Sequence, residues 1–283
     1  MIGVNSEKNR FISMKKLWAA LALSALSVNV MAHSPFTAPT NYIVYGNNTS
    51  MLAGFAEHPF DTEVAIRGFD FKVVDPKQET IPLLLSHTAS LSSANIETKI
   101  DGTYQIIGER QAAIAYAKIG KRWLRVLDAK GTKLVPLDMR DFVTPSELTA
   151  KQQKMEVQRI DQVVSFFSKY KPSDLHRDIA KSGLQLSFSA HPNTIQAGQV
   201  FSLTVQLDQK AAVGYQVHVE HQQTDANAND ESVKLTTDAA GKVTLPLHLA
   251  GQYRVTVTSP QQPVTIQPAA LTYRSILSLN VNP

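Results

Sequence analysis

Phe201-Ser202-Leu203-Thr204-Val205-Gln206-Leu207 places an apolar side chain at every second position. Side chains alternate across an extended chain, so this run predicts a strand with one buried face. The same period continues on both sides. Leu184, Leu186 and Phe188 alternate before it, with Ala197-Gly198 as the intervening turn. Val217 and Val219, then Val233 and Leu235, follow it and lead into the tight turn Asp238-Ala239-Ala240-Gly241. Val243, Leu245 and Leu247 come next, then Ala250-Gly251, then Tyr253, Val255 and Val257. Leu271, Tyr273, Ile276, Leu277, Leu279 and Val281 form a closing strand. Period-two strands with turns about every ten residues predict an antiparallel, immunoglobulin-like sandwich over 182–283.

Upstream, short β-like runs between turn signals predict a second β domain over 33–140. Asp101-Gly102 before Thr103-Tyr104 reads as a hairpin turn. Between the two β regions, 141–181 reads as a helical connector. Thr144 is a suitable N-cap, Pro145 suits the first helical position and Glu147 completes a capping box. Ile160, Val163, Val164 and Phe167 then fall at i, i+3, i+4 and i+7, and Pro172 ends the helix. The expected fold class is therefore mainly β: two Ig-like β-sandwich domains joined by a helix. Repeated strand–helix alternation and a Gly-rich phosphate loop are both missing from the sequence, which argues against barrel and dinucleotide-binding α/β folds.

The first 32 residues read as an export signal. Met14-Lys15-Lys16 is a positive n-region, Leu17 to Val28 an apolar h-region, and Val30-Met31-Ala32 a small-x-small cleavage site. Residues 1–13 form an upstream extension, with either Met1 or Met14 as the start. The apolar run is too short to span a bilayer comfortably, so the expectation is a periplasmic protein with no stable membrane insertion after cleavage. The full chain has 28 Lys+Arg against 24 Asp+Glu. Removing Lys8, Arg10, Lys15, Lys16 and Glu7 with the leader leaves 24 against 23, a charge of about +1. Such a balance offers no electrostatic case for nucleic acid. The chain has no cysteine, so disulfides, thiolate ligands, thiol nucleophiles and lipoprotein anchoring are excluded.

Several features resemble one bacterial family. They are Ser182-Gly183-Leu184-Gln185-Leu186, Pro192, Gly198, Thr237-Asp238-Ala239-Ala240-Gly241-Lys242-Val243, Pro246, Ala250-Gly251-Gln252-Tyr253 and Tyr273-Arg274. Together with His33 after Ala32 and His58-Pro59-Phe60, they resemble the domain-of-unknown-function 4198 family, whose members are often described as periplasmic components of nickel/cobalt uptake. The resemblance implies metal handling beside a membrane uptake complex. Relatives often carry an acidic residue where this chain has Gly183-Leu184-Gln185-Leu186, so no ligand is carried over there.

The residues offer a matching donor set. If cleavage follows Ala32, His33 owns both a free α-amine and an imidazole, which can close a chelate ring on one ion. A second imidazole would complete a nitrogen-rich site suited to Ni, Co, Cu or Zn rather than Ca or Mg. His58 is the leading second ligand, Asp61 a ligand or an orienting acceptor for it, and His87 a weaker third. His218 and His221 stand three apart in a predicted strand and so face opposite ways. His176, His191 and His248 read as loop or strand histidines. Asp225 to Asp230 imitates an EF-hand start but has Asp230 where Gly is required and Thr236 where Glu is required. No Gly-x-Ser-x-Gly or related nucleophile context points to an enzyme. The expected function is binding or delivery of a nickel/cobalt-type ion. The alternatives are a tandem Ig-like module that binds a protein or glycan, and a copper-dependent oxidase with an N-terminal histidine brace.

Overall fold

The computed structural model describes residues 33–128, 136–175, 182–223 and 232–283. The export segment and the Asp225–Asp230 loop lie outside them, as does His176. The described chain is built of strands, with helical geometry confined to the short turns Leu137–Met139 and Pro145–Glu147.

The strands in the first half are β1 (Ser34–Pro39), β2 (Ile43–Val44), β3 (Asn48–Ala56), β4 (Val64–Ala65), β5 (Asp70–Val74) and β6 (Thr80–Leu83). They continue with β7 (Ser86–His87), β8 (Ser92–Glu97), β9 (Gly102–Ile119), β10 (Arg122–Val126) and β11 (Phe142–Val143). The second half holds β12 (Lys154–Lys169), β13 (Leu184–Phe188), β14 (Phe201–Leu207), β15 (Lys210–Ala211) and β16 (Gln216–His221). It ends with β17 (Val233–Thr236), β18 (Lys242–Leu245), β19 (Gly251–Thr258) and β20 (Leu271–Val281). One long sheet runs β11-β10-β9-β12-β20-β19-β16-β17. A sheet of order β1-β3-β8-β7, with β4 on β3, covers part of one face, and a small sheet of β13, β14, β15 and β18 completes the layers.

The expected helical connector is a strand. Residues 154–169 pair antiparallel with β9 along their whole length, and 158–165 pair in parallel with β20. The reason lies in two-sided burial. Val163 and Phe167 enter a core with Tyr104, Ile106 and Ile276, while Val164 and Phe166 enter another with Leu277, Leu279 and Phe201. A central strand buried on both faces reads as a continuous apolar run, and such a run can be mistaken for a helical stripe. The capping signal is nonetheless real. Thr144 N–H donates to Glu147 Oε2 at 2.9 Å, but the turn lasts only Pro145–Glu147 and the backbone is extended at Leu148. The cap therefore closes one turn, and pairing with β9 decides the rest.

Two cores lie on opposite faces of the shared long sheet. Gly108 shows how close the packing is. A Cβ there would lie 2.5 Å from the Phe71 ring and 2.8 Å from Val163 Cγ2, so glycine lets β9 run unbroken past a bulky neighbour. Asp101-Gly102 is not a hairpin. The strands on its two sides, β8 and β9, belong to different sheets. Gly102 turns with φ +127° where a Cβ would meet Ser173 Oγ at 2.8 Å.

Candidate metal centre

His33 stands one residue before β1. Ser34 pairs with Ala56, so the antiparallel register sets His33 beside the exit of β3. The chain leaving β3 turns at once. Asp61 N–H donates to the His58 carbonyl at 3.2 Å, and Phe60 adopts φ +67°, a left-handed conformation uncommon for a bulky residue. The Phe60 ring meets Phe36 edge-on at 5.3 Å, and this packing holds the turn that presents His58. Glu63 N–H then returns to the Phe55 carbonyl at 3.0 Å. The loop 57–63 is therefore a closed excursion at one sheet end, with His58 exposed on it.

Glu63 faces His33 at this end of the sheet, a partner that the residue spacing does not announce. Its Oε1 accepts the Glu57 backbone N–H at 2.8 Å, and its Oε2 lies 2.5 Å from His33 Nε2. The Glu57 N–H first and the His33 contact second hold this carboxyl below the usual carboxylate range, and the charge of His58 adds to the same lowering. Glu63 is thus ionised and aimed at His33. Its place could not be read from spacing, because 30 residues separate the two and only the β1–β3 register brings them together.

The other expected ligands are placed elsewhere. Asp61 returns to His58 through its backbone alone, with no side-chain hydrogen bond between them among the described residues. His87 sits in β7, separated from β1 by β3 and β8, and its Nδ1 lies 2.7 Å from Ser92 Oγ. The strand order puts His87 across the sheet from His33. His218 and His221 fall on opposite faces of β16, as their spacing predicts. His191 is tied into the interior, with Nε2 2.9 Å from Thr103 Oγ1 and Nδ1 accepting the Asn193 N–H at 3.1 Å. Among the described residues, no three His, Cys, Asp or Glu side chains are arranged to hold a metal ion.

The loop is fixed from below by a buried charge. Arg254 of β19 donates from Nη1 to the Ala56 carbonyl at 3.0 Å and from Nη2 to the Glu57 carbonyl at 2.8 Å. Its Nε and Nη2 also reach the Glu220 carboxylate, both at 2.8 Å. Arg254 is 1% exposed and Glu220 7%. The two halves of the chain thus meet directly beneath the His33 end.

A model of the domain of unknown function DUF4198 matches residues 30–260. The chain belongs to this family. No curated protein matches it. Among solved structures, it is similar to a DUF4785 family protein from Legionella pneumophila at 11% identity, covering 85% of this chain and 55% of that one, with a TM-score of 0.22. It thus spans about half the length of the Legionella protein. It is also similar to the FN1-FN3 domains of chicken CNTN1 at 8% identity, covering 88% and 100% with a TM-score of 0.22. The D0-D1 domain of Intimin is 10% identical, with 87% and 97% covered and a TM-score of 0.20.

Proposed function

We propose that this DUF4198 protein binds a divalent transition metal of nickel/cobalt type in the periplasm and delivers it to an uptake system. The observation that carries the reading is the contact between His33 Nε2 and a carboxylate anchored on a backbone N–H. A metal-bound imidazole commonly donates its other ring N–H to a carboxylate, which fixes the tautomer and raises the basicity of the ligating nitrogen. With Nε2–H given to Glu63, Nδ1 is the nitrogen left to bind, and it belongs to the same residue as the α-amine. Amine and Nδ1 close a six-membered chelate ring, and His58 on the facing loop is the next imidazole. Nitrogen donors in this number suit Ni, Co, Cu or Zn.

Cleavage after Ala32 is required, since only a first-residue His33 has a free amine. The test is calorimetric titration of Ni(II) and Co(II) into protein beginning at His33, compared with protein carrying one extra Gly before it. Binding tighter than about 10 μM, or about −7 kcal/mol, is expected for the first protein, and at least about tenfold weaker binding for the second. Equal affinities, or no binding at that level by either, would overturn the proposal.

A further inference from the structure

A cavity lies further along the same face of the long sheet. Arg254 and Thr258 share one face of β19, separated by roughly 13 Å at about 3.3 Å per residue. Around Thr258 a cavity of about 300 Å³ is lined by Tyr116, Trp123, Arg125, Arg159, Gln216 and Asp141, among others. The register explains the convergence. Arg125 pairs with Tyr116, Arg159 with Thr272, and Gln216 with Thr258, so these side chains rise from one face of six strands, β10, β9, β12, β20, β19 and β16. The outer wall is the β19–β20 connection, which carries Pro260, Pro263 and Pro268. It is anchored by the Trp123 N–H to the Val264 carbonyl at 2.5 Å and by the Tyr273 N–H to Ser259 Oγ at 2.9 Å. Prolines restrict the unfolded loop and so favour a wall that stays in place.

The charge on this face is unbalanced. Asp161, fully buried, receives Arg110, Arg159 and Arg274, with its nearest contacts to them at 3.0, 2.7 and 2.8 Å. One carboxylate offsets only one of three guanidinium groups. Burial first, and repulsion from Arg159 next, pull Arg274 down to about 10. Arg159 also borders the cavity. Arg125 adds a fourth cation, and its Nε is buried without a hydrogen-bond partner among the described residues. Of these cations, Arg125 and Arg159 line the cavity, against Asp141 there and Asp161 beside Arg159, so Arg125 is the lining cation whose buried donor is left unpaired. A buried donor without a partner is costly, so a ligand that accepts from it gains affinity.

We infer that this cavity binds a small organic carboxylate, with the carboxylate received by Arg125 beside Arg159 and the carbon chain set against Tyr116 and the proline loop. The site is independent of the metal reading. The experiment is calorimetric titration of the purified protein with succinate, using succinamide as the neutral analogue and inorganic phosphate as a compact anion. Saturable succinate binding with Kd below about 1 mM is expected, with no succinamide binding and weaker phosphate binding. Arg125→Gln is expected to weaken succinate binding by about tenfold or more, the worth of a charge-assisted hydrogen bond. Asp141→Asn is expected to strengthen it, and His33→Ala to leave it unchanged. Succinate binding that is absent, matched by succinamide or phosphate, or unaltered in both the Arg125 and Asp141 variants would overturn the inference.

Discussion

Replacing Arg254 by Met tests whether the two halves of the chain are joined where the geometry places the joint. The guanidinium makes four hydrogen bonds, two to Glu220 and one each to the Ala56 and Glu57 carbonyls. Met fills similar space and removes all four donors. Glu220, 7% exposed, then keeps a charge faced only by His218 Nδ1 at 3.5 Å, beside two carbonyls that have lost their donor. Removing one partner of a buried ion pair costs about 3–5 kcal/mol, which for a chain this size lowers Tm by about 6–20 °C. Replacing both residues, Arg254→Met with Glu220→Leu, removes the orphan charge and is expected to recover a large part of the loss. The assay is urea unfolding of the wild type, both single variants and the double, with metal titration on each folded form. Loss of the tether also frees the 57–63 loop, so Arg254→Met is expected to weaken metal binding at His33 beyond its effect on stability. A single-variant cost under about 1 kcal/mol, or strictly additive single effects, would refute the account of Arg254 as a buried, coupled tie.

Other outcomes follow from the same structure. Glu63→Gln keeps the shape of the side chain but removes the carboxylate facing His33, and is expected to weaken Ni(II) binding about 10–100-fold in a competition assay with a chromophoric chelator; unchanged affinity would remove Glu63 from the site. Asp161→Asn strands three guanidinium groups and should cost about 3–5 kcal/mol at neutral pH by denaturant unfolding. The sign of its pH dependence is fixed: burial alone would raise the Asp161 carboxyl, but Arg274 and Arg159 outweigh it and hold the group low. Its stabilisation is therefore complete above about pH 3.9, the unfolded value, and fades as pH falls through the lower folded value. Unfolding measured from pH 5 downward should show a steeper loss in the wild type than in Asp161→Asn. Gly108→Ala drives a methyl into the Phe71 ring and should destabilise by about 1–3 kcal/mol, with Phe71→Leu partly restoring it in thermal unfolding of the double variant.

Strands buried on one face were legible in the sequence, and strands buried on both were not. Phe201, Leu203 and Val205 alternate, and all three are buried in the core that period two predicts. Val163-Val164 and Phe166-Phe167 break that period because each pair divides between two cores, so the same residues also satisfy a helical template. The Thr144–Glu147 capping box reinforced the helix reading. It is a local fact about one turn, and it carries no information about the sixteen residues of β12 that pair with β9. Asp101-Gly102 misled in a similar way. Its turn chemistry is sound, but a turn does not specify whether the next strand returns to the same sheet. The three-arginine cluster on Asp161 was hidden for a further reason: Arg110 and Arg274 meet Asp161 only as its register partners on the two neighbouring strands.

The candidate metal site shows the same division between local and long-range information. His33 is proposed from a cleavage rule and a chelate ring, which are both local chemistry, and the exposed loop at His58 is announced by its His-Pro-Phe turn. Which carboxylate serves them is a question of register. Asp61, three residues from His58, is the natural choice by spacing, yet the left-handed Phe60 turns the chain so that Asp61 meets His58 only through its backbone N–H. Glu63, two residues later, lies where the Glu57 N–H can hold one carboxylate oxygen while the other reaches His33. This difference separates two chemistries. An Asp61–His58 pair would orient the second proposed ligand, whereas in the proposed centre the Glu63–His33 pair would fix the tautomer of the first and leave Nδ1 for the ion. Shortening the loop by deleting Thr62 would move Glu63 out of register with Glu57 while leaving His33 and His58 in the sequence. If metal affinity survives that deletion, the imidazoles act without an orienting carboxylate. If it falls as far as it does in Glu63→Gln, the β1–β3 register is what assembles the centre.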